Sequence, residues 1–156
     1  MNDTWLYLHN NAREEAGVNP IIWNNDLATD AQNYANQCIF RHSDMAHSGY
    51  AGENISLGVP ADKYNNINTI FSGWMSERNS CPSTDPYKIG HYTQIINPRV
   101  GQMGCGCAIC NHTTGINPEN NGIICVCRYD AIQNLDEIHC TDFYEPISSE
   151  AVPIRD

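Results

Sequence analysis

The segment Gly90-His91-Tyr92-Thr93-Gln94 decides how this chain is interpreted, because it sets a histidine among small, aromatic and polar residues. Two other segments carry an acidic residue in a comparable setting, with Glu77 closing residues 74–77 and Glu53 lying within residues 51–54. Two carboxylates and at least two imidazoles can therefore meet at one site. Such a set can bind a divalent metal, hold protons, or close into a hydrogen-bond network.

The second histidine of this site comes from His42 or His47, each of which is followed by a serine and precedes Glu53. Two imidazoles with carboxylates or water can complete a tetrahedral zinc site, or a tetragonal copper or nickel site. The carboxylates can instead orient the imidazole N–H groups without touching the metal. The alternative without a metal is a polar cluster in which each glutamate accepts a hydrogen bond from an imidazole or a backbone N–H.

The composition limits the classes of partner. The chain has 156 residues, enough for one domain with a core, and a formal net charge of −10. A chain without a basic stripe is poorly suited to neutralising phosphates, which argues against nucleic acid as a main partner. The same charge disfavours docking to anionic membranes. No apolar run approaches the roughly 20 residues of an integral membrane segment.

The cysteine pattern indicates an oxidising compartment. Eight cysteines are many for this length, and the number is even. Because the paired C-x-x-C knuckles of structural zinc sites are missing, a disulfide framework is favoured over zinc. The chain is therefore expected to be a secreted, extracellular domain, although no signal peptide is visible after Met1. Asn2, Asn54 and Asn111 each begin a glycosylation sequon, and Asn54 adjoins the proposed site.

Apolar residues at helical spacing predict three helices in the first half of the chain. The stripes run through residues 5–16, 27–38 and 67–74, and residues 42–60 are predicted as a loop rich in Gly, Ser and Asn. Glu77 lies on the same face as the third stripe. A carboxylate there needs a partner, because an unpaired buried charge is costly.

Strand-like runs follow at residues 92–96, 103–109 and 123–129. The last two flank an Asn- and Gly-rich loop and are predicted as a β-hairpin. Helices first and strands later favour an α+β fold with helices packed on an antiparallel sheet. The polar tail that begins at Cys140 is predicted to be disordered at its end.

Several short motifs occur in a fixed order along the chain. They are His-Asn-Asn-Ala-Arg at 9–13, the alanine-rich run ending in a cysteine at 31–38, Gly-Glu-Asn-Ile at 52–55, Trp-x-x-Glu at 74–77, Gly-His-Tyr-Thr-Gln at 90–94, Gly-Cys-Gly at 104–106 and Cys-Arg-Tyr-Asp at 127–130. This ordered set resembles the CAP superfamily, which includes cysteine-rich secretory proteins, insect antigen 5 and plant pathogenesis-related proteins. The resemblance covers about residues 4–135.

The resemblance implies an α+β fold, a three-layer α-β-α sandwich with a central antiparallel sheet stapled by disulfides. We expect a single CAP domain at residues 1–140 and a polar tail at 141–156. The family's spacing between a cysteine and a following His-Ser pair fits Cys38 and favours His42 over His47. The central cleft of the family holds two histidines and two glutamates. Carried over by position, these are His42, Glu53, Glu77 and His91.

The eight cysteines are expected to form four disulfide bonds. The resemblance implies a bond between the strand cysteines Cys105 and Cys127, and another between Cys38 and Cys110. If the strand cysteines lie opposite each other on antiparallel strands, the next cysteine of each strand also faces its counterpart, because two residues forward on one strand mean two back on the other. This gives Cys107–Cys125, and elimination leaves Cys81–Cys140.

Two positions depart from the family pattern. Asn97 stands where members usually carry a tryptophan shortly after the Thr-Gln pair, so the packing at that point is expected to differ. Gln133 stands where glycine is common, which is expected to alter the turn after Asp130.

Three functions are compatible with these residues. The resemblance favours a secreted protein that binds a sterol or fatty-acid-like small molecule, or an extracellular protein, in defence or host interaction. Zinc or another divalent metal can occupy the cleft without being required for folding, and Tyr87, Ile89 and Tyr92 are the expected ligand contacts. A metal-dependent hydrolase or protease is the second candidate, and a purely structural or signalling module is the third. Enzymatic activity is less favoured, because the H-E-x-x-H and G-x-S-x-G signatures are absent.

Overall fold

The computed structural model describes residues 2–47, 49–111, 121–132 and Cys140. Its helices are α1 (Asn2–Ala16), α2 (Asn25–Ala35), α3 (Asp44–His47), α4 (Ala61–Tyr64), α5 (Ile67–Met75) and α6 (Pro86–Ile95), with a 3-10 helix at Ser76–Ser80. Its strands are β1 (Ile22–Trp23), β2 (Gly52–Gly58), β3 (Gln102–Cys110) and β4 (Gly122–Tyr129). Within these ranges no helix is long and apolar enough to cross a membrane.

The four strands form one sheet in the order β1-β3-β4-β2. Strands β3 and β4 pair antiparallel, which confirms the hairpin predicted from their sequences. Strand β2 adds antiparallel to β4, and the two-residue β1 adds parallel to β3 at the other edge. Glu53 of β2 therefore lies directly opposite Arg128 of β4.

Helices cover both faces of this sheet. On one face α2 buries Ala31, Tyr34 and Ala35 against Ile124 and Val126 of β4. On the other face α1, α5 and α6 build the larger core around two tryptophans, Trp5 and Trp74. The α+β class and the three-layer α-β-α arrangement are therefore confirmed.

Glycines on β3 allow α2 to lie directly on the sheet. A Cβ on Gly106 would come within 2.5 Å of the Cα of Gln32, and one on Gly104 would collide with the backbone of Ala28. The Gln32 side chain then bonds the β3 backbone twice, since its Nε2 donates to Cys107 O at 2.7 Å and its Oε1 accepts from Cys107 N at 3.2 Å. The Gln32 amide therefore satisfies backbone groups of β3 at a position beyond the end of β1.

The prediction of a strand at residues 92–96 was wrong, because residues 92–95 belong to helix α6 and Ile96 is its C-cap. The side chain of Asp85 caps the helix by accepting a hydrogen bond from Tyr87 N, and Pro86 occupies the first turn, where its missing N–H costs nothing. Ile89, Tyr92 and Ile96 are all buried and recur at helical spacing. Contacts with the core therefore outweigh the strand preference of these residue types.

The loop predicted at residues 42–60 was also wrong in part. It contains the short helix α3 and the edge strand β2. The sequence of β2 includes glycine, glutamate and asparagine, which are rare in strands, so its β character comes from pairing with β4.

All four expected disulfide bonds are confirmed. Two cross the hairpin between β3 and β4, one ties the end of α2 to the end of β3, and one ties the segment before α6 to Cys140. The bonds are Cys38–Cys110, Cys81–Cys140, Cys105–Cys127 and Cys107–Cys125.

The predicted disorder of the tail concerns residues that lie outside the described part of the chain.

Candidate functional site

One candidate pair is built around Glu53, whose side chain is only 1% exposed. Its Oε1 accepts a hydrogen bond from Ser43 N at 2.9 Å and lies 3.0 Å from His42 Nδ1, and its Oε2 accepts from Ser43 Oγ at 2.6 Å. The imidazole of His42 is about half exposed. Strand β2 thus supplies a buried carboxylate that orients a histidine at the surface.

Arg128 lies directly opposite Glu53, on the neighbouring strand β4. Its Nε is 3.3 Å from Glu53 Oε2, within ion-pair distance but without hydrogen-bond geometry. The guanidinium is further held by Met45, whose Sδ lies 3.0 Å from Nη1, and by the ring of Tyr34, whose centroid lies 5.4 Å from Cζ. A buried cation therefore faces the buried carboxylate.

A second pair joins Glu77 and His91. Glu77 Oε1 lies 2.6 Å from His91 Nδ1, and its Oε2 accepts from the backbone N–H of Tyr92 at 3.0 Å. The imidazole stacks on the indole of Trp74, with centroids 5.8 Å apart and planes inclined by 12°. The 3-10 helix and α6 together hold this pair, and the predicted partner for the carboxylate of Glu77 is present.

A buried hydrogen-bond chain connects the site to α1. Asn54 Nδ2 donates to the backbone oxygen of His91 at 3.0 Å and to the hydroxyl of Tyr129 at 3.2 Å. That hydroxyl lies 2.8 Å from Nε2 of His9, whose Nδ1 lies 2.7 Å from Trp5 O. Because the Asn54 amide is engaged and 1% exposed, this sequon is closed to glycosylation in the folded protein.

The electrostatics of these groups follow from burial and partners. Burial lowers the pKa of His9 from 6.5 to about 4, and it raises the pKa of Tyr129 above its ordinary value. Burial alone would raise the pKa of Glu53, but hydrogen bonds from His42 and Ser43 and the charge of Arg128 lower it below the usual range. Glu53 is therefore a stable carboxylate and His9 is neutral at physiological pH.

Arg13 supports the site from below through four backbone oxygens. Its Nε donates to Asn19 O at 2.6 Å, its Nη1 to Ile95 O and Asn97 O at 2.9 and 2.8 Å, and its Nη2 to Val100 O at 3.1 Å. The side chain is fully buried, and burial lowers its pKa to about 10, so it stays charged at neutral pH. Arg13 thereby fixes the chain that leaves α6.

The departure at Asn97 has a structural explanation. The residue is buried, its Oδ1 accepts from Arg99 N at 3.0 Å, and its Nδ2 donates to Ile132 O at 3.4 Å. An amide therefore joins the end of α6 to the segment after β4. The departure at Gln133 lies outside the described residues.

The sequence-predicted site residues fall into two groups. His42, Glu53, Glu77 and His91 form the two hydrogen-bonded pairs described above, and the side chain of His47 lies outside the described part of the chain. Tyr87 is 96% exposed on α6, whereas Ile89 and Tyr92 are at most 1% exposed and pack in the core. Among the described residues, no group of three or more His, Cys, Asp or Glu side chains is placed to hold a metal ion.

Sequence reasoning missed three residues of the site, namely Ser43, Asn54 and Arg128. Each lies beside a residue that was singled out, but none was predicted to make a contact within the site. Arg128 could have been identified if the Gly-Glu-Asn segment had been predicted as a strand that pairs with the Cys-Arg-Tyr segment, because this pairing places Arg128 opposite Glu53.

A separate groove of about 380 Å³ opens between α1, α5 and the hairpin. Ile67 and Ile70 of α5 and Ile123 of β4 form its apolar wall, together with the hairpin disulfide Cys107–Cys125. Asn68, which is exposed on α5, also lines the groove. Its volume is in the range of small-molecule pockets.

The profile of the CAP family, described as the cysteine-rich secretory protein family, matches residues 6–129. The chain therefore belongs to the CAP family, whose members form a disulfide-containing extracellular group.

Curated relatives include proteins of plants, fungi and an insect. Pathogenesis-related leaf protein 4 of Solanum lycopersicum is 35% identical over 145 residues, which cover 83% of this chain and 77% of the relative. Fruiting body protein SC7 of Schizophyllum commune is 32% identical over 110 residues, which cover 69% of this chain and 51% of the relative. The chain thus spans only about half the length of some of the relatives that it matches.

Solved structures share the fold. The crystal structure of MpPR-1i has a TM-score of 0.64 and 25% identity, covering 85% of this chain and 88% of that chain. The crystal structure of NaASP2 with Zn²⁺ has a TM-score of 0.67 and 20% identity, covering 84% and 79% of the two chains.

Proposed function

We propose that this protein is a secreted CAP-domain binding protein, with a His/Glu cleft that takes up a divalent metal such as zinc. The observation that carries the proposal is the matched pair of contacts in which a glutamate oxygen engages the Nδ1 of each imidazole. A carboxylate at Nδ1 fixes the tautomer that leaves Nε2 as the metal-binding nitrogen. His42 and His91 would bind the metal directly, with Glu53 and Glu77 orienting them.

The metal would polarise bound water or hold an oxygen-bearing ligand when it is present. Two imidazoles alone do not complete a zinc coordination sphere, so water or ligand atoms are needed for the remaining positions. The crystal structure of the fold relative NaASP2 with Zn²⁺ supports the choice of metal. Because folding already pairs every carboxylate of the site, the metal is not required for the fold.

Isothermal titration calorimetry with zinc at pH 7.5 tests this proposal. His42→Ala and His91→Ala should each weaken zinc binding by at least about tenfold, while His47→Ala serves as the matched control and should leave it unchanged. Unaltered zinc binding in both site variants refutes the assignment. Loss in His47→Ala but not in His42→Ala moves the site to the other histidine.

The second part of the proposal concerns the ligand. The isoleucine wall of the groove beside α5 supports binding of a sterol or fatty-acid-like molecule, and the exposed Tyr87 supports contact with such a ligand or an extracellular partner protein. A fluorescent fatty acid should bind the protein, and Asn68→Trp should weaken that binding by filling the groove. Thr69→Trp is the control, because Thr69 is exposed on the same helix and does not line the groove. Equal binding by both variants moves the ligand elsewhere.

The proposed domain extends over residues 1–140, with 141–156 as a tail. The disulfide Cys81–Cys140 supports this boundary, because Cys140 is the last cysteine in the sequence. A chain that ends after Cys140 should keep the melting temperature of the full chain in differential scanning calorimetry. A drop of more than about 4 °C, roughly 1–2 kcal/mol for a chain of this size, would extend the domain into the tail.

A further inference from the structure

Arg128 is a buried cation that faces the site glutamate from the adjoining strand. Arg128 and Glu53 are cross-strand neighbours in the β2/β4 register, and their side chains are 5% and 1% exposed. We propose that Arg128 is the positioning residue that holds Glu53 in place to orient His42, an inference that rests on the proposed function of the cleft as a metal site. Arg128 itself does not touch the metal.

The guanidinium is fixed by three separate elements. Strand β2 provides Glu53, α3 provides the sulfur of Met45, and α2 provides the aromatic face of Tyr34. Because Nε makes an ion pair with Glu53 without hydrogen-bond geometry, Arg128 acts on the carboxylate through its charge. A point charge held by three elements can place the carboxylate without competing for the oxygen lone pairs that His42 and Ser43 use.

The two His/Glu pairs differ in whether a buried cation lies next to the carboxylate. Glu53, with its side chain 1% exposed, has the cation behind it. Glu77 is 17% exposed, and no lysine or arginine of the described residues lies within ion-pair distance of it. The pair of Glu53 with His42 should therefore depend on Arg128, whereas the pair of Glu77 with His91 should not. His91 becomes an internal control in the same molecule.

Charge and positioning predict opposite effects on zinc affinity. Removing a positive charge near the cleft strengthens the attraction of a divalent cation. Losing the support of a ligand's hydrogen-bond partner weakens metal binding, typically by about 10- to 100-fold. If Arg128 is a positioning residue, the second effect dominates in Arg128→Gln. Arg128→Lys keeps a cation that can reach Glu53, so it should restore most of the affinity.

Calorimetry with zinc on the full chain measures this difference. Arg128→Gln should bind zinc at least about tenfold more weakly than the unmodified protein, and Arg128→Lys should stay within about threefold. Unchanged or tighter zinc binding by Arg128→Gln contradicts the inference. Equal weakening by both substitutions also contradicts it, because the conserved charge would then have no effect.

A second readout needs no metal. Nitrogen-15 NMR of the imidazole rings should show the Nδ1–H signal of His42 in the unmodified protein, its loss in Arg128→Gln and its return in Arg128→Lys, with the His91 signal constant throughout. Val100→Ala is the control for general destabilisation, since it removes buried side-chain volume from the core without changing a group of either His/Glu pair, and it should lower the melting temperature and keep both signals. Loss of both signals in Arg128→Gln, or retention of the His42 signal, refutes the inference.

The two proposals can fail separately. If the unmodified protein binds no zinc, the proposed function fails, and the NMR comparison still decides the role of Arg128. If the unmodified protein binds zinc and Arg128→Gln leaves both zinc affinity and the His42 signal intact, only the role of Arg128 fails.

Discussion

Arg13 illustrates how one buried charge can organise distant segments. Its guanidinium donates to four backbone oxygens and has no carboxylate within hydrogen-bond reach in the described structure, so stability depends on every one of these bonds. Lysine keeps the charge but lacks the planar fork of donors. Arg13→Lys should therefore leave buried carbonyls unsatisfied and lower the free energy of unfolding by about 2 kcal/mol or more.

Urea denaturation measures this loss, and Arg78→Lys is the matched control. Arg78 bonds Glu15 at 3.1 Å on the surface, where both side chains are more than 40% exposed, so its substitution should change stability by less than about 0.5 kcal/mol. Equal effects of the two substitutions would show that the bonds of Arg13 to the backbone contribute little.

His9 gives the protein a pH-dependent stability. Burial holds its pKa near 4 in the folded protein, against 6.5 for an exposed histidine. Between these two pH values His9 is protonated in the unfolded chain but neutral in the folded chain. The free energy of unfolding therefore falls as the pH drops from about 6.5 to about 4. At 1.36 kcal/mol per unit, the loss from this residue is about 3 kcal/mol across the window.

Unfolding free energies measured between pH 4 and 7 test this window. His9→Gln, which can keep a hydrogen bond to Tyr129, should flatten the profile between pH 6.5 and about 4. The lowered pKa of Glu53 acts in a different range, since its contribution is present above about 4.5 and is lost below it. A profile that keeps its slope in His9→Gln would assign the dependence to another group.

At the scale of single residues, sequence alone identified the histidines and glutamates of the site but not what surrounds them. The resemblance favoured His42 over His47, and His42 does engage Glu53. Arg128 could not be placed next to Glu53 from its own segment, because their contact depends on the pairing of two strands about 75 residues apart in the chain.

At the scale of elements, predictions from local pattern failed where tertiary contacts decide. Residues 92–96 have the aromatic and β-branched character of a strand, yet the cap at Asp85 and burial of one side make them part of α6. Strand β2 has a poor strand sequence, yet it pairs with β4 along its whole length. The hairpin was predictable because its two strands are close in sequence and an Asn- and Gly-rich sequence separates them.

Packing of α2 on β3 leads to a prediction at this scale. A methyl group on Gly106 would meet the backbone and Cβ of Gln32 at 2.5–2.7 Å, so Gly106→Ala must push α2 away from the sheet. We expect a loss of at least about 2 kcal/mol in the free energy of unfolding, because the core on this face would open. Gly73 is the control, since a Cβ there meets nothing within 4 Å.

Gly73 lies on the exposed side of helix α5. Gly73→Ala should stabilise the protein by about 0.5–1 kcal/mol, because alanine has a higher helix propensity than glycine. Thermal unfolding of the two variants therefore should shift in opposite directions. A neutral Gly106→Ala would mean that α2 can move on the sheet without cost.

At the scale of the whole molecule, the ordered motifs predicted the fold more reliably than secondary-structure pattern did. Three of the motifs supply residues that join separate elements: Arg13 of α1 reaches the end of α6, Asn54 of β2 reaches α6, and Tyr129 of β4 reaches α1. A residue whose side chain joins two elements must fit both of them at once. Their order along the chain therefore carries information about three-dimensional arrangement that local propensity does not contain.

The disulfides allow this long-range organisation to be measured. Cys81–Cys140 closes a separation of 59 residues, whereas Cys107–Cys125 closes 18 and is backed by Cys105–Cys127 two residues away on each strand. In the chain-entropy description, the stabilisation by a disulfide grows with the loop that it closes. Replacing both cysteines of the long tie with serine should therefore cost about 4 kcal/mol, and replacing both cysteines of the hairpin rung no more than about 3 kcal/mol.

Urea unfolding of the two double variants, with the remaining bonds verified by non-reducing peptide mapping, compares the two losses directly. The hairpin rung should cost less for a further reason, since strand pairing and the neighbouring disulfide keep the two strands together after it is removed. A larger loss for Cys107→Ser with Cys125→Ser would mean that packing of that disulfide in the hydrophobic core, rather than restriction of the unfolded chain, dominates its contribution.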